Sequence, residues 1–160
     1  MNYQIQPIHP SQDQKMCFII KSVGKEFGAI GDGFGPSDPE VEAMSQYYSD
    51  DSNSCYLIAT INGLVVGGCG IATFNGDKDI CELRKLFISK ESRGLGLGIK
   101  LTEQCLAYAQ QKGYKSCYLD TLSNMQSAIK LYEKLDFKHL PKPLDGTIHN
   151  GCDVWMLKQL

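Results

Sequence analysis

Three glycines at alternate positions stand out in the stretch "SRGLGLGI", residues 92–99. The stretch follows "CELRKLFIS", which is typical of a strand, and precedes "KLTEQCLAYAQQKG", which is typical of a helix. A tight turn needs one glycine, so three of them favour close approach of a ligand to the main chain. The first N–H groups of a helix are unpaired, and the helix dipole favours an anion. The pattern therefore predicts a phosphate-binding turn.

Two common phosphate motifs do not fit this turn. A dinucleotide fingerprint that starts at Gly94 would need a glycine where Ile99 stands, and it would belong to an opening β-α-β unit rather than the middle of the chain. A Walker loop requires G-K-[ST], which the stretch lacks. The residues from Arg93 to Gly98 match the pattern R/Q-x-x-G-x-G/A instead.

The elements that must hold this turn follow from hydrophobic spacing, and their predicted order is β-α-α-β-β-β-α-β-α-β-β. A first strand, "YQIQPIH", precedes a helix for which Ser11 is the expected N-cap. A second helix, "SDPEVEAMSQYY", is expected to begin at Ser37 or Asp38, with Pro39 in its first turn.

Three strands in succession precede the glycine turn. Asn62 and Gly63 separate two apolar runs, which is a strong signal for a β-hairpin. A third strand covers residues 80–89, and a helix over residues 96–112 leads from it to the strand "KSCYLDT". A helical connection of this kind favours a parallel crossover. With the helix "NMQSAIKLYEKLD" and two final strands, we expect a mixed, mostly antiparallel sheet with helices on both faces.

Composition bounds the class of protein. The chain has 160 residues, 42% of them hydrophobic, which suits one globular domain with its own core. The formal net charge of −2 gives no general reason to expect nucleic acid or an acidic membrane as partner. The start lacks the basic and apolar regions of a signal peptide, and no apolar run approaches a membrane span, so we expect a cytoplasmic protein. An odd number of cysteines without a C-x-x-C pair favours reduced thiols in the core over disulfides or zinc.

The segments around the glycine turn resemble a known family. The pattern from Arg93 to Gly98 is similar to motif A of the GNAT superfamily of N-acetyltransferases. In addition, "ELRKLFIS" resembles the fourth strand of that family, and "AIKLYEKLDF" resembles its A-x-x-L-Y-x-x-L-G-F segment. The resemblance covers residues 80–137 well and the rest mainly by the order of elements. Asp136 stands where glycine is usual, and Met125 stands where the family often has an asparagine that contacts the cofactor.

This resemblance implies an α+β (mixed α/β) GNAT fold, a single domain over residues 1–160, with acetyl-CoA as cosubstrate and no metal ion. It implies that the pyrophosphate rests on the glycine-rich turn, whose N–H groups face the anion. It also implies that the amides of the pantetheine arm pair with the main chain of the third meander strand, where that strand splays from "CYLDT". The residues implied for the cofactor are Leu86, Phe87, Ile88, Arg93, Gly94, Leu95, Gly96, Leu97, Gly98, Ile99 and Asn124.

Glu82 is a charged residue within a predicted strand, where alternation gives it the same face as Leu86 and Ile88. A charge on a buried face is unfavourable unless it has a partner. The resemblance implies that Glu82 is the general base, because an amine with a pKa near about 10 must lose a proton before it attacks a thioester. The alternative is an exposed glutamate that pairs with Arg84 or Lys85.

Tyr132 lies on an apolar helix stripe with Ala128 and Leu135. A tyrosine in this setting is usually a packed core residue. The resemblance implies a second role, in which the phenol protonates the departing CoA thiolate. Tyr132 is therefore the candidate general acid.

The acceptor site is the least defined part of the sequence. Every charged side chain in residues 31–51 is acidic, and the resemblance implies that this segment helps to form the acceptor site. The acids could attract a cationic amine, or they could cap a helix and face water.

The sequence as a whole predicts an enzyme that transfers the acetyl group of acetyl-CoA to a primary amine of a small molecule or peptide, by direct attack in a ternary complex. Direct transfer needs no acyl-cysteine. A homodimer is left open, and neither nucleic acid nor a membrane is expected as partner. The alternative is an acyl-CoA-binding sensor without catalysis, against which the presence of both Glu82 and Tyr132 argues.

Overall fold

The computed structural model describes residues 2–160. Seven strands form one sheet in the spatial order β1-β2-β3-β4-β5-β7-β6. The strands are β1 (Tyr3–Pro7), β2 (Cys55–Ile61), β3 (Leu64–Phe74), β4 (Asp77–Ile88), β5 (Ser116–Thr121), β6 (Lys138–Leu140) and β7 (Val154–Gln159). Antiparallel pairs predominate, and β4 and β5 pair in parallel, as the helical crossover predicts.

Three α-helices accompany the sheet: α1 (Asp13–Glu26), α2 (Leu97–Gln111) and α3 (Gln126–Lys134). Short 3-10 helices cover Pro10–Gln12, Gly35–Ser37, Pro39–Gln46, Asp50–Ser52 and Lys90–Ser92. In the part of the chain that the structure describes, no helix has the length and apolarity that a membrane span requires.

The two faces of the sheet carry separate cores. One core holds buried residues of α2 together with Tyr132 and Phe137. The other holds buried residues of α1, with Val41 and Met44 from the 3-10 helix that follows it. The prediction of helices on both faces is thus confirmed. Cys69, Cys81, Cys105 and Cys117 are buried, and all seven cysteines are free thiols.

The hairpin between β2 and β3 turns at Asn62 and Gly63, as predicted, with φ values of 50° and 81°. Such a pair of left-handed residues matches the twist of the flanking strands. The predicted N-cap at Ser11 is wrong, because α1 begins after a 3-10 turn in which His9 Nδ1 accepts a hydrogen bond from the Ser11 N–H.

The second predicted helix is a 3-10 segment, Pro39–Gln46, interrupted at Ala43 by an extended φ of −155°. Asp38 occupies its N-cap position but makes no side-chain capping bond. Its carboxylate turns away and accepts from Lys85 and His149 instead. The 3-10 segment therefore has no side-chain cap, because the Asp38 carboxylate binds Lys85 and His149 instead.

A bulge interrupts β4 at Lys85, whose φ is 54°. Gly70 pairs with Arg84 and Gly68 with Phe87, so two residues of β4 oppose one residue of β3. The Tyr56 hydroxyl donates to the Lys85 carbonyl at 2.7 Å and fixes the bulge. A Cβ on Gly70 would lie 2.6 Å from the Tyr56 ring, so this glycine makes room for the tyrosine.

The bulge reverses which face each later residue of β4 occupies. Leu86 and Ile88 pack against the core on the α2 side, whereas Phe87 belongs to the core on the α1 side. Glu82 pairs with Ala72, a residue of the α1-side core. The prediction that Glu82 shares a face with Leu86 and Ile88 is therefore wrong, because simple alternation does not hold across a bulge.

Candidate active site

The candidate site is a cleft where β4 and β5 separate. The two strands pair only from Ile80 and Ser116 to Glu82 and Tyr118, so in the described chain the main chain of β4 beyond Glu82 has no strand beside it on this edge. The groups that line the cleft include apolar residues of α3 and charged residues of β4 and β5; among them are Phe34, Pro36, Glu82, Arg84, Lys85, Leu86, Phe87, Asp120, Met125, Ala128, Tyr132, His149 and Cys152.

Glu82 lies at the last paired position of β4, with 6% of its surface exposed. Its Oε1 accepts a hydrogen bond from Arg84 Nε at 2.7 Å. Burial raises the pKa of Glu82, while Arg84 opposes the rise. The alternative prediction was an exposed glutamate that pairs with Arg84 or Lys85. The pair with Arg84 is present, but the predicted exposure of Glu82 to solvent is wrong. Glu82 is therefore a buried carboxylate at the wall of the cleft, and Arg84 partly compensates its charge.

Tyr132 lines the same cleft from α3. Its ring packs on Phe137, with the ring centroids 5.7 Å apart. Burial raises the pKa of the phenol, so the hydroxyl keeps its proton at neutral pH. The residue is therefore packed, as tyrosines on apolar stripes usually are, and it also presents a protonated group to the cleft.

The glycine turn joins a 3-10 helix to α2. Gly94 and Gly96 have φ values of 78° and 79°, and no atom lies within 4 Å of a Cβ built on either. Gly96 is the N-cap of α2 and offers no side chain to the first helical N–H groups. Gly98 differs, because it is helical and its Cβ would lie 3.1 Å from Leu131 Cδ1, so it serves the packing of α3 on α2. Two of the three glycines thus leave open space beside unpaired donors.

Other predicted cofactor residues of the turn differ in exposure. Leu97 is buried in the core beside α2, Leu95 is 42% exposed, and Ile99 is intermediate. Any contact of Leu97 with a ligand would therefore involve its main chain. The turn presents backbone rather than side chains.

Arg93 and Asn124 already have partners within the protein. Both terminal nitrogens of Arg93 donate to the Glu26 carboxylate at 2.7 Å, and Asn124 Nδ2 donates to the Phe27 carbonyl at 2.9 Å. The two side chains anchor the glycine turn and the start of α3 to the end of α1. Their contact with a cofactor stays a prediction.

A cluster of charged groups beside Glu82 was not predicted. His149 Nδ1 lies 2.9 Å from Asp120 Oδ1 and 3.6 Å from Glu82 Oε2, and His149 Nε2 lies 2.7 Å from Asp38 Oδ2. The sequence contains one signal for this cluster. Asp120 is a charged residue within the apolar strand "CYLDT", just as Glu82 is a charged residue within its own strand. The histidine stands alone in a polar loop and gives no such signal.

The acidic segment that was a candidate for attracting a cation is largely paired. Asp38 contacts Lys85, Glu40 contacts Arg84 and Lys85, and Glu42 forms an ion pair with Lys21. Asp50 contacts Lys112. These acids hold the segment against α1, α2 and β4, which favours a structural role for most of them.

Cys152 also lines the cleft, close to Asp120. Burial and the neighbouring carboxylates raise the pKa of its thiol to about 12. A thiol with such a pKa contains little thiolate at neutral pH and is a weak nucleophile.

A larger cavity, of about 480 Å³, lies elsewhere, between β1, β2 and α2. Tyr108 borders it and donates to Asp50, so its polar groups partly satisfy one another. It contains neither the glycine turn nor Glu82. The cleft between β4 and β5 is where the groups suited to chemistry converge.

Comparisons with known proteins show the family to which the chain belongs. Residues 24–137 match the model of the Acetyltransferase (GNAT) family. The chain is 39% identical over 144 residues to a protein of Escherichia coli (strain K12) named uncharacterized N-acetyltransferase YjgM; the match covers 89% of this chain and 86% of that protein. N-acetylaspartate synthetase of Xenopus tropicalis is 34% identical over 101 residues, which cover 63% of this chain and 37% of that protein.

A solved structure, yncA from Salmonella typhimurium, described as a putative acetyltransferase with its cofactor acetyl-CoA, superimposes with a TM-score of 0.79 at 18% identity. The superposition covers 99% of this chain and 94% of that one. This structural likeness shows the fold. The match to the family model and the 39% identity to the Escherichia coli protein show the family from the sequence. The chain therefore belongs to the acetyltransferase (GNAT) family and is an acyltransferase.

Proposed function

We propose that the protein transfers the acetyl group of acetyl-CoA to a primary amine by direct attack in a ternary complex. The observation that carries this proposal is the convergence of a buried carboxylate, Glu82, and a protonated phenol, Tyr132, on one cleft. The cleft opens where β4 offers unpaired main chain, and the glycine turn follows directly after β4.

Acetyl-CoA fits this site in two places. The first N–H groups of α2, beside Gly94 and Gly96, suit a pyrophosphate, since they combine unpaired donors with the positive end of the helix dipole. The main chain of Leu86, Phe87 and Ile88 suits the pantetheine amides, which would pair with it as an added strand does. Acetyl-CoA in the Salmonella typhimurium structure of the same fold supports this assignment.

The proposed reaction needs no covalent enzyme intermediate. The amine nitrogen forms a bond to the thioester carbonyl carbon, and the bond between that carbon and sulfur breaks. Glu82 takes one proton of the ammonium group, directly or through water, and later releases it to solvent. Tyr132 gives a proton to the CoA thiolate, and the second proton that the nitrogen loses on forming the amide restores the phenol. Cys152 lies in the cleft, but its raised pKa disfavours an acyl-thioester route.

The proposed acceptor is the primary amine of a small molecule or peptide. The relative named N-acetylaspartate synthetase is similar to part of this chain, which places L-aspartate among the first acceptors to test. The cleft contains Arg84, Lys85 and His149 as well as carboxylates, so it is not uniformly acidic. An acceptor that carries a carboxylate near its amine is therefore as admissible as a polyamine.

The test is release of free CoA thiol from acetyl-CoA in the presence of a panel of amines: L-aspartate, other amino acids, polyamines and short peptides. Acetylation of at least one amine, confirmed by the mass of the product, is the expected result. Mass spectrometry of the enzyme after acetyl-CoA treatment without acceptor should show no stoichiometric acetyl group on Cys152. Tight CoA binding without turnover on any amine, or a stable acetyl-cysteine, would contradict the proposal.

A further inference from the structure

His149 is the centre of a buried network that joins four parts of the chain at the cleft. It lies in the loop before β7, 29 positions from its β5 partner Asp120 and 111 positions from Asp38, which precedes the 3-10 segment. Glu82, its third neighbour, is on β4. Only 7% of the histidine surface is exposed.

The contacts of the ring favour its charged form. Each ring nitrogen lies within hydrogen-bond distance of a carboxylate oxygen, and a carboxylate can only accept. A neutral imidazole has one donor, so it would leave one of the two close contacts as a repulsion between lone pairs. Both contacts are satisfied when the ring is an imidazolium. Burial alone lowers the pKa of His149, but the hydrogen bonds to Asp120 and Asp38 outweigh it and raise the pKa to about 9.

The ion pairs around the cluster also favour a charged His149 ring. Asp38 and Glu40 contact Lys85, and Arg84 contacts Glu82, but Asp120 has no lysine or arginine partner among the described residues. The Asp120 side chain is only 2% exposed. A buried carboxylate without a counter-charge is strongly unfavourable, and the imidazolium provides that charge.

The groups that face Glu82 and His149 come from every neighbouring element. Glu82 faces Arg84 on its own strand, Tyr118, Cys117 and Asp120 on β5, and His149 and Cys152 on the loop before β7. His149 faces Asp38, Asp120 and Glu82, with Lys85 behind Asp38. Arg84 and His149 are thus cations near Glu82 that lower its pKa, whereas burial and the Asp120 charge raise it.

We propose that His149 is a positioning residue for acetyl transfer, whose imidazolium neutralises Asp120 and favours the ionised, proton-accepting form of Glu82. This role rests on the proposed function. The ring also ties the loop before β7 and the segment around Asp38 to the wall of the cleft, where the acceptor must enter. It does not receive the proton of the amine, because both of its nitrogens already carry protons.

The experiment compares His149→Gln with wild type over a range of pH. Glutamine keeps a donor for one carboxylate but carries no charge. We expect kcat/KM of the variant to fall roughly three- to tenfold on the acidic side, where protonation of Glu82 limits the rate, with little change in CoA affinity. The two enzymes should converge above about pH 9, where the wild-type ring itself loses its proton. His139→Gln is the matched control, because the His139 side chain is half exposed and, among the described residues, hydrogen-bonds to Glu133 and to no residue of the cleft.

A direct titration makes the proposal independent of the variant's folding and of turnover. In wild-type protein, the NMR signal of the His149 ring, assigned by its loss in His149→Gln, should titrate well above the ordinary histidine value. Titration of His149 near or below its ordinary value of about 6.5 would overturn the imidazolium. Turnover in wild type with an unchanged pH profile in His149→Gln would remove the role in catalysis, whereas absence of turnover on every amine would remove the proposed function itself.

A metal ion is the competing occupant of this cluster. One ligand atom from each of Glu82, Asp120 and His149 lies within 4.8 Å of the others, a spacing that could hold a divalent cation. Titration of the chelator-treated protein with Zn²⁺ decides between the two. Binding of one equivalent that disappears in His149→Gln would overturn the proposal, and absence of stoichiometric binding would support it.

Discussion

At the residue scale, the proposed mechanism depends most on Glu82. Glu82→Gln keeps the shape of the side chain and its contact with Arg84, but removes the basic oxygen. We expect acetyl-CoA affinity to stay nearly unchanged and kcat to fall roughly 10²-fold or more, the usual size of a general-base effect. Because burial raises the pKa of Glu82, kcat/KM of wild type should rise with pH through an ionisation above the ordinary glutamate value, and the variant should lose that limb.

Glu133→Gln is the control for this prediction, since the Glu133 side chain is half exposed on α3 and pairs with His139, away from the cleft residues. The amine substrate also titrates, so the profile must be repeated with a second amine of different pKa. Full activity of Glu82→Gln with an unchanged limb would exclude Glu82 and leave another group as the proton acceptor.

Sequence reasoning found one member of the charged cluster and missed the others for a physical reason. Glu82 was recognised because it lies next to a motif with local spacing. His149, Asp120 and Asp38 come together only through the crossover from β4 to β5 and the return of the last loop, and no local pattern encodes such distances. Local rules make Asp38 one of two candidates for a helix cap, because they consider the nearest N–H groups and not the distant Lys85.

At the scale of elements, one substitution in the turn before α2 and one in α3 should separate cofactor binding from proton transfer. Gly96→Val would force a branched side chain into a φ of 79° and into the open space beside the helical N–H groups. We expect CoA binding to be lost in calorimetry, with a destabilisation of about 1–3 kcal/mol. Tyr132→Phe should keep CoA affinity and lower kcat, since only the phenolic proton is removed. Equal loss of binding in both folded variants would assign Tyr132 a structural role.

Gly98→Ala is the control for the turn. Gly98 is helical, and the added methyl group would need Leu131 to move by a few tenths of an ångström. We expect this variant to bind CoA. A loss equal to that of Gly96→Val would mean that α2 packing, and not the open space at the turn, governs binding.

Long periodic elements were predicted well, and irregular ones were not. The hairpin at Asn62, the long helix α2 and the strand β5 follow from spacing and turn residues. The bulge at Lys85 depends on the Tyr56 hydroxyl reaching a carbonyl 29 positions away, and the 3-10 segment depends on Asp38 leaving its cap. Both irregularities occur where tertiary contacts outweigh local preference, and both lie beside the cleft.

At the scale of the whole molecule, the buried imidazolium links stability to pH. The pKa of His149 in the folded protein, about 9, lies above its unfolded value near 6.5. The folded state therefore binds this proton more tightly, so its stabilisation is complete below pH 6.5 and is lost as pH rises through about 9. We expect the free energy of unfolding, from urea titrations, to fall by roughly 1–3 kcal/mol between pH 6.5 and 10.

His149→Gln should be less stable than wild type at pH 6.5 and should lack this part of the decline. A parallel decline in both proteins would assign the effect to other groups. On the acid side the sign is opposite: Asp38 and Glu26 have lowered pKa values, so the stability that they contribute is lost as pH falls through those values.

The mixed topology could be predicted because one helical connection between two strands almost dictates a parallel crossover. The separation of β4 from β5 after three residue pairs agrees with the splay that the family resemblance implies, whereas nothing in the strand sequences themselves marks where the pairing stops.

The bulge in β4 also bears on how this chain tolerates insertions and deletions. Loss of the extra residue at Lys85 would restore regular alternation and leave Leu86, Phe87 and Ile88 on the faces that they now occupy. Straightening of the strand at its full length would instead turn all three over, sending Phe87 out of the α1-side core and the two aliphatic side chains out of the other. This part of β4 should thus tolerate the loss of one residue better than the loss of its kink.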